Sequence, residues 1–239
     1  MTHKPFLTAV VMMALTLGIA APTQAQVNKQ QRKERQEMAK MTKKEIDKKA
    51  SKEARKMAKQ YKKEGWQVPI GQPPLEKQID QYWNMYYEFD ETGAPRYIMG
   101  MAMPIGEVYD AAYMQAIELA KLNIASQISS EVTAFAEDLV GNNQMTQEQA
   151  SSLVQTVTAS KNLISQSLGR VRPVICVYRV KDNKNKEVLV QMAYDSNQAL
   201  QATKRILKEE MKDKGEEMIK IIDCPVFRNE VTQIGGQGT

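Results

Sequence analysis

Residues 108–140 carry the strongest helical pattern in this 239-residue chain. Their apolar side chains recur at intervals of three and four residues over about nine turns, and neither glycine nor proline interrupts them. The stripe consists of Ile117, Ala120, Ile124, Ile128, Val132, Phe135 and Leu139. A stripe this long on a helix is buried against other elements, so we expect this helix to lie along the core of a domain.

The segments on either side of this helix predict strands and further helices. β-branched and aromatic runs indicate strands at residues 85–89, 97–103, 171–180 and 187–194, with turn-rich segments at 90–95 and 181–186. Helices are predicted from Pro74 through Tyr82, from a capping box at Thr146 to Leu168, and from Asp195 or Ser196 to near Gly215. This order predicts an α+β fold, in which helices cover one face of an antiparallel sheet of about four strands.

The N-terminus has the pattern of a cleavable signal peptide, residues 1–25. His3 and Lys4 precede an apolar stretch at residues 6–21, and small side chains at Thr23 and Ala25 suit cleavage after Ala25. The apolar stretch is shorter than the about 20 residues that span a bilayer, and no later segment is apolar enough. We therefore expect an exported protein, periplasmic or peripheral to the outer membrane, without a transmembrane segment after cleavage.

The formal net charge of +5 combines a basic arm and a mildly acidic body. Residues 26–65 contain 15 Lys and Arg against 6 Asp and Glu, and we predict that most of this arm, up to the stop at Gly65, is one long helix. Residues 66–223 are long enough for one α+β domain, and residues 224–239 should form a mobile glycine-rich tail.

Five lysines in the arm lie four residues apart and would be neighbours on a helix: Lys40, Lys44, Lys48, Lys52 and Lys56. Such a row is typical of a solvated spacer. It would also suit a polyanion-facing arm that binds lipid headgroups, anionic wall polymers or an acidic protein surface. No nucleic-acid partner is expected.

The residues needed for the common catalytic and metal sites are missing. The single histidine, His3, leaves with the signal peptide, which excludes Ser-His-Asp and Cys-His catalysis in the mature chain. The sequence contains neither the GxxxxGK[ST] nor the GxGxxG nucleotide loop. Cys176 and Cys224 could form a disulfide, or Cys176 could be a core thiol and Cys224 a loose one. We predict no catalytic residue, metal or cofactor.

Two side-chain patterns permit either packing or binding. Met99, Met101 and Met103 alternate on a predicted strand, so they share one face, which suits a core strand or thioether ligation of Cu(I). The aromatic run at residues 82–89 includes Trp83, Tyr86 and Tyr87. These aromatic side chains could pack against a helix, or they could form a surface for glycan or a protein partner. We favour packing for both patterns.

The central segments resemble a known family of envelope proteins. Residues 97–102 (YIMGMA), the alanine-rich helix at 111–128 and the strand at 174–178 resemble the Lpp-twenty family of bacterial envelope lipoproteins, and the same module is similar to the N-terminal domain of flagellar assembly protein T. The likeness covers residues 85–194. It implies an envelope protein with an α+β module and no established catalytic residues. Our own first hypothesis is a non-enzymatic module that binds another envelope protein or its own copies. The lipid-accepting cysteine of the family is missing here.

Overall fold

The computed structural model describes residue 33 and residues 49–223, except residues 92 and 170. The predicted signal peptide, the tail and most of the arm lie outside these residues. Along the described chain the elements are helices α1 (Lys52–Lys63) and α2 (Leu75–Tyr86), strands β1 (Tyr97–Ala102) and β2 (Ile105–Gly106), helices α3 (Tyr109–Gly141), α4 (Gln147–Ala159) and α5 (Lys161–Ser167), strands β3 (Pro173–Val180) and β4 (Lys186–Asp195), and helices α6 (Ser196–Glu210) and α7 (Glu216–Asp223), with a short 3-10 helix (Lys212–Lys214) before α7.

The four strands form one antiparallel sheet with β4 at its centre. Strand β3 pairs with one edge of β4, and β1 and β2 pair with the other. The register is continuous from Tyr97 opposite Asp195 to Ile105 opposite Glu187, so β1 and β2 are two parts of one interrupted strand. The predicted α+β fold with a four-stranded antiparallel sheet is confirmed.

Helices cover both faces of the sheet, whereas the sequence predicted them on one. The consecutive residues Val188, Leu189 and Val190 of β4 are all buried. Val188 and Val190 belong to a core cluster with α3, while Leu189 belongs to a second cluster with α1 and α2. Because neighbouring strand residues point to opposite faces, an uninterrupted apolar run of this kind requires cover on both sides.

The first cluster depends on a close approach between α3 and β1. Ala112, Ala116 and Ala120 form a fully buried small-residue stripe on α3. Gly100 lies so close to this helix that a Cβ on it would be 2.5 Å from the carbonyl oxygen of Ala120. Only a glycine on the strand and alanines on the helix permit this separation.

The second cluster includes part of the predicted basic arm. Ala54 and Ala58 of α1 are buried with Leu75 and Ile79 of α2, and both helices pack with apolar residues of β3 and β4. The packed unit that contains the sheet begins at Lys49. It therefore includes residues upstream of residue 66, where the sequence predicted the domain to begin.

Hydrogen bonds from neighbouring segments cover outer backbone groups at both sheet edges, through side chains at β1 and through backbone at β3. On β1, the Nε2 of Gln127 donates to the carbonyl oxygen of Met99 at 2.7 Å, and the backbone N–H of Met101 donates to Asn123 Oδ1 at 3.3 Å. On β3, Gln67 exchanges two backbone hydrogen bonds with Tyr178, at 2.7 and 2.9 Å. These contacts satisfy groups that an edge strand would otherwise leave free.

Three details of the predicted elements are wrong. Residues 85–89 are not a strand, because the stripe of Leu75, Ile79, Tyr82 and Tyr86 continues the helical period of α2 to Tyr86. The helix that begins at the confirmed Thr146 capping box ends at Ala159, and a separate helix, α5, follows. Helix α7 was not predicted.

Helix α1 also corrects the prediction of one long arm helix. Residues 49–51 are not helical, and Ser51 is the N-cap of α1, with its Oγ accepting a hydrogen bond from the backbone N–H of Ala54 at 3.1 Å. A serine in this position competes with the helix for backbone hydrogen bonds and so favours a helix start. Within the residues described, no helix has the length and hydropathy needed to cross a bilayer.

Candidate functional site

The exposed side of α1 is a row of lysines. Lys52, Lys56, Lys59 and Lys63 follow one another at intervals of four, three and four residues and are all exposed. At about 100° per residue they lie on the side of the helix opposite the buried Ala54. We call these four lysines the basic face.

Helix α1 is held in one orientation by contacts with α2. The backbone N–H and the Oγ of Ser51 both donate to the carboxylate of Asp80, at 2.8 and 2.6 Å. Near the other end of α1, the Nζ of Lys62 lies 4.0 Å from a carboxylate oxygen of Glu76. Together with the buried alanines, these contacts direct the basic face away from the sheet.

Positive charge predominates in the segment that contains α1. Residues 49–64 contain seven Lys and Arg and two Asp and Glu, a balance of +5. Lysines four residues apart repel each other, by a few tenths of a kcal/mol per pair on an exposed helix. An anionic partner would relieve that repulsion as well as add its own attraction.

The structure contains part of the predicted lysine row. Lys52 and Lys56 belong to the basic face, while Lys40, Lys44 and Lys48 lie outside the described residues. The sequence reasoning missed Lys59 and Lys63 because it followed a strict four-residue interval. A spacing that alternates between four and three, opposite two alanines, is the signal that would have found them.

Aromatic side chains form a second exposed surface at the end of α2. The rings of Tyr82 and Tyr86 stack with centroids 5.9 Å apart, and the ring of Tyr87 meets that of Tyr86 edge-on at 5.0 Å. Tyr86 is 48% exposed and Tyr87 68% exposed, whereas Trp83 packs partly against the second core cluster. Of the three residues predicted for a glycan or partner surface, the structure thus exposes Tyr86 and Tyr87.

Cys176 is a buried thiol in β3. Among the described residues it forms no disulfide, and its Sγ lies 3.7 Å from the hydroxyl oxygen of Tyr109. Burial raises the pKa of the Cys176 thiol, which disfavours the reactive thiolate. Cys224 lies outside the described residues, so its pairing with Cys176 stays a prediction.

The fold also contains one half-buried carboxylic acid, Glu131, and one ion pair whose carboxylate is buried. Burial raises the pKa of Glu131 on α3 to about 8. The carboxylate of Glu187 contacts the guanidinium of Arg179, which in turn lies over the ring of Trp66, 4.5 Å from its centroid. Desolvation is the only cause of the Glu131 shift, so neither Arg179 nor Glu187 perturbs that carboxyl.

Within the described residues, no three His, Cys, Asp or Glu side chains are grouped closely enough to bind a metal ion. An open cleft of about 690 Å³ lies between the α3–α4 connection and α7. Its lining mixes polar side chains with the apolar Val140, Met145 and Ile221, and Gln149 within it donates from Nε2 to Glu217 at 3.2 Å.

Comparison with protein-family models, with curated proteins and with solved structures gives no match for this chain. The resemblance to the Lpp-twenty family therefore stays a prediction.

Proposed function

We propose that this chain is a non-enzymatic, exported protein of the cell envelope. In this proposal the α+β domain binds a protein partner or its own copies, and the basic face of α1 binds an anionic envelope surface. The observation that carries the proposal is the basic face itself, since Lys52, Lys56, Lys59 and Lys63 are fixed on one side of a helix whose other side is buried. The signal-peptide pattern of residues 1–25 supports export.

The dimensions of the basic face suit a surface better than a single small anion. At 1.5 Å per residue, the row from Lys52 to Lys63 is roughly 16 Å long, which exceeds the Debye length of about 10 Å at 0.1 M salt. Each lysine close to an anionic membrane contributes about 1 kcal/mol, so four contribute about 4 kcal/mol. This is a reversible, salt-sensitive attachment.

The test is sedimentation of the full mature chain with envelope fractions and with vesicles that contain phosphatidylglycerol. The triple variant Lys52→Glu, Lys56→Glu, Lys59→Glu should lose at least about a hundredfold in partitioning at 0.1 M salt, because it removes three attractions and adds three repulsions. Wild-type binding should also fall steeply at 0.5 M salt.

A matched control carries the same change in net charge at exposed lysines elsewhere: Lys184→Glu, Lys212→Glu, Lys214→Glu. This control should retain most of the binding. If both triple variants lose equally, binding reports only net charge, and the basic face has no special role. The proposal is also rejected if the α1 triple variant still binds at 0.5 M salt.

The exposed tyrosines favour a second candidate function, a module that binds cell-wall glycan. The faces of Tyr86 and Tyr87 could stack on sugar rings. A thermal-shift screen with wall fragments should then raise the melting temperature of the wild type but not of Tyr86→Ala, Tyr87→Ala. A flat response from the wild type would reject glycan binding.

A further inference from the structure

Three methionines share the sheet face opposite α3. Met99 and Met101 lie on β1, and Met103 is the first of the two residues that separate β1 from β2, across which the register continues. The residues between them face α3, where Gly100 contacts the helix and Ala102 packs against the first core cluster. Alternation on a strand then directs all three methionines to the other side. We call them the methionine row.

The methionine row is only partly covered. Met101 is 56% exposed and Met103 is 49% exposed, whereas Met99 is partly buried. Ile105, two residues beyond Met103, is about equally exposed. Helices α1 and α2 pack mainly against the β3 side of this face, with Ile175, Val177 and Leu189. Core filling therefore does not account for Met101 and Met103, which place much of their thioether side chains in solvent.

The residues of β4 paired with the methionine row are uncharged. The cross-strand partners of Met99 and Met101 are Ala193 and Gln191, so neither methionine has a charged partner on β4. The Nε2 of Gln191 lies 3.4 Å from Met101 Sδ, which fixes where that sulfur is, and its Oε1 is buried without a partner.

The two carboxylates nearest to the row along β4 are already engaged. Asp195, opposite Tyr97, accepts a hydrogen bond from the backbone N–H of Gln198 at 3.0 Å. Glu187 lies opposite Ile105, and its carboxylate contacts Arg179 and lies 3.8 Å from the Nζ of Lys181. A hard cation such as Mg²⁺ or Ca²⁺ requires several oxygen ligands, which this face does not offer. Thioethers alone select Cu(I) among biological metal ions.

We propose that the methionine row is a binding site for a soft monovalent cation, Cu(I) in the exported compartment. Alternate residues on a strand are about 6.6 Å apart, and the three rotatable bonds of methionine allow neighbouring sulfurs to converge on one ion. The ion binds as Cu(I) without electron transfer, and the neutral thioethers release no proton. Silver, Ag(I), is a redox-stable probe of the same chemistry.

The test is a titration of the full mature chain with Ag(I), followed by NMR of ¹³C-labelled methionine methyl groups. The methyl signals of Met99, Met101 and Met103 should move together and saturate at one equivalent. A residue-resolved signal separates this site from binding at a cysteine thiol. If the ion binds while these three signals stay fixed, the proposal is overturned.

Methionine-to-leucine variants measure how much the methionine row contributes to the affinity for Cu(I). The double variant Met101→Leu, Met103→Leu keeps size and hydrophobicity and should bind Cu(I) at least tenfold more weakly in competition with a chromophoric Cu(I) chelator. The control Met114→Leu changes an equally exposed methionine of α3 that is not part of the row, and should bind as the wild type does. A loss below tenfold in the double variant, or an equal loss in the control, contradicts the site. If the double variant fails to fold, the wild-type methyl shifts still decide.

Discussion

Substitution of Gly100 tests how closely α3 approaches β1. In Gly100→Ala the added Cβ would lie 2.5 Å from the carbonyl oxygen of Ala120 and 2.6 Å from Cγ1 of Ile124. Non-bonded carbons prefer separations of 3.5–4.0 Å, so one atom or the other has to move by about 1 Å. Ile124 could change its side-chain conformation, but the carbonyl of Ala120 belongs to the helix backbone and cannot rotate away.

Two opposing contributions determine how Gly100→Ala changes the free energy of unfolding. Overpacking a close contact costs roughly 1–3 kcal/mol, and a backbone clash lies at the upper end of that range. Replacing glycine by alanine also restricts the unfolded chain, which favours folding by about 0.4–1 kcal/mol. We therefore expect Gly100→Ala to lower the free energy of unfolding by about 2 kcal/mol.

Urea denaturation followed by circular dichroism measures this change, and Gly141→Ala is the matched control. A Cβ at Gly141, the last residue of α3, would have no atom within 4 Å, so the control should be as stable as the wild type or slightly more stable. Adding Ile124→Val to Gly100→Ala should not restore stability, because the contact with Ala120 remains. The reasoning is refuted if Gly100→Ala unfolds at the same urea concentration as Gly141→Ala.

Two further predictions concern the half-buried Glu131 and the buried Gln78. Desolvation raises the pKa of Glu131 from 4.5 to about 8, so the folded protein keeps a proton that the unfolded chain loses. The free energy of unfolding therefore falls as pH rises from about 4.5 to 8. Glu131→Gln should remove this slope and be more stable than the wild type at pH 8 by about 4 kcal/mol in urea denaturation, whereas parallel pH profiles would contradict the desolvation argument. The buried amide of Gln78 accepts from the backbone N–H of Cys176 and donates to the carbonyl oxygen of Pro73, both at 2.7 Å. Gln78→Leu should cost about 2–4 kcal/mol and speed hydrogen exchange at the Cys176 amide, and an unchanged exchange rate there would show that the bond is dispensable.

Periodicity in the sequence was sufficient for the main elements of the fold. The stripe from Ile117 to Leu139 predicted α3 to within one residue at each end, and the capping box at Thr146 is present with both of its hydrogen bonds. These signals are local, because a helix start or a run of helical turns depends on residues within a few positions.

Features that depend on what covers a surface could not be predicted in this way. Alternation showed that Met99, Met101 and Met103 share a face, but their exposure depends on where α1 and α2 pack, which is a tertiary property. Aromatic residues favour strands by propensity, so the end of α2 at Tyr86 was missed, although its helical spacing from Leu75 was visible. The predicted lysine row contained two of the four residues of the basic face, Lys52 and Lys56.

The hydrogen bonds that cover the sheet edges also limit how copies of this chain could contact one another. Gln127 and Asn123 occupy the outer backbone groups of β1, and Gln67 and Gln78 occupy those of β3. A second chain could not extend the sheet by adding a strand without first displacing these amides, which makes stacking into fibrils through these edges unfavourable. Any contact between copies of this chain would then have to use side-chain surfaces, such as the exposed tyrosines of α2, and not strand pairing.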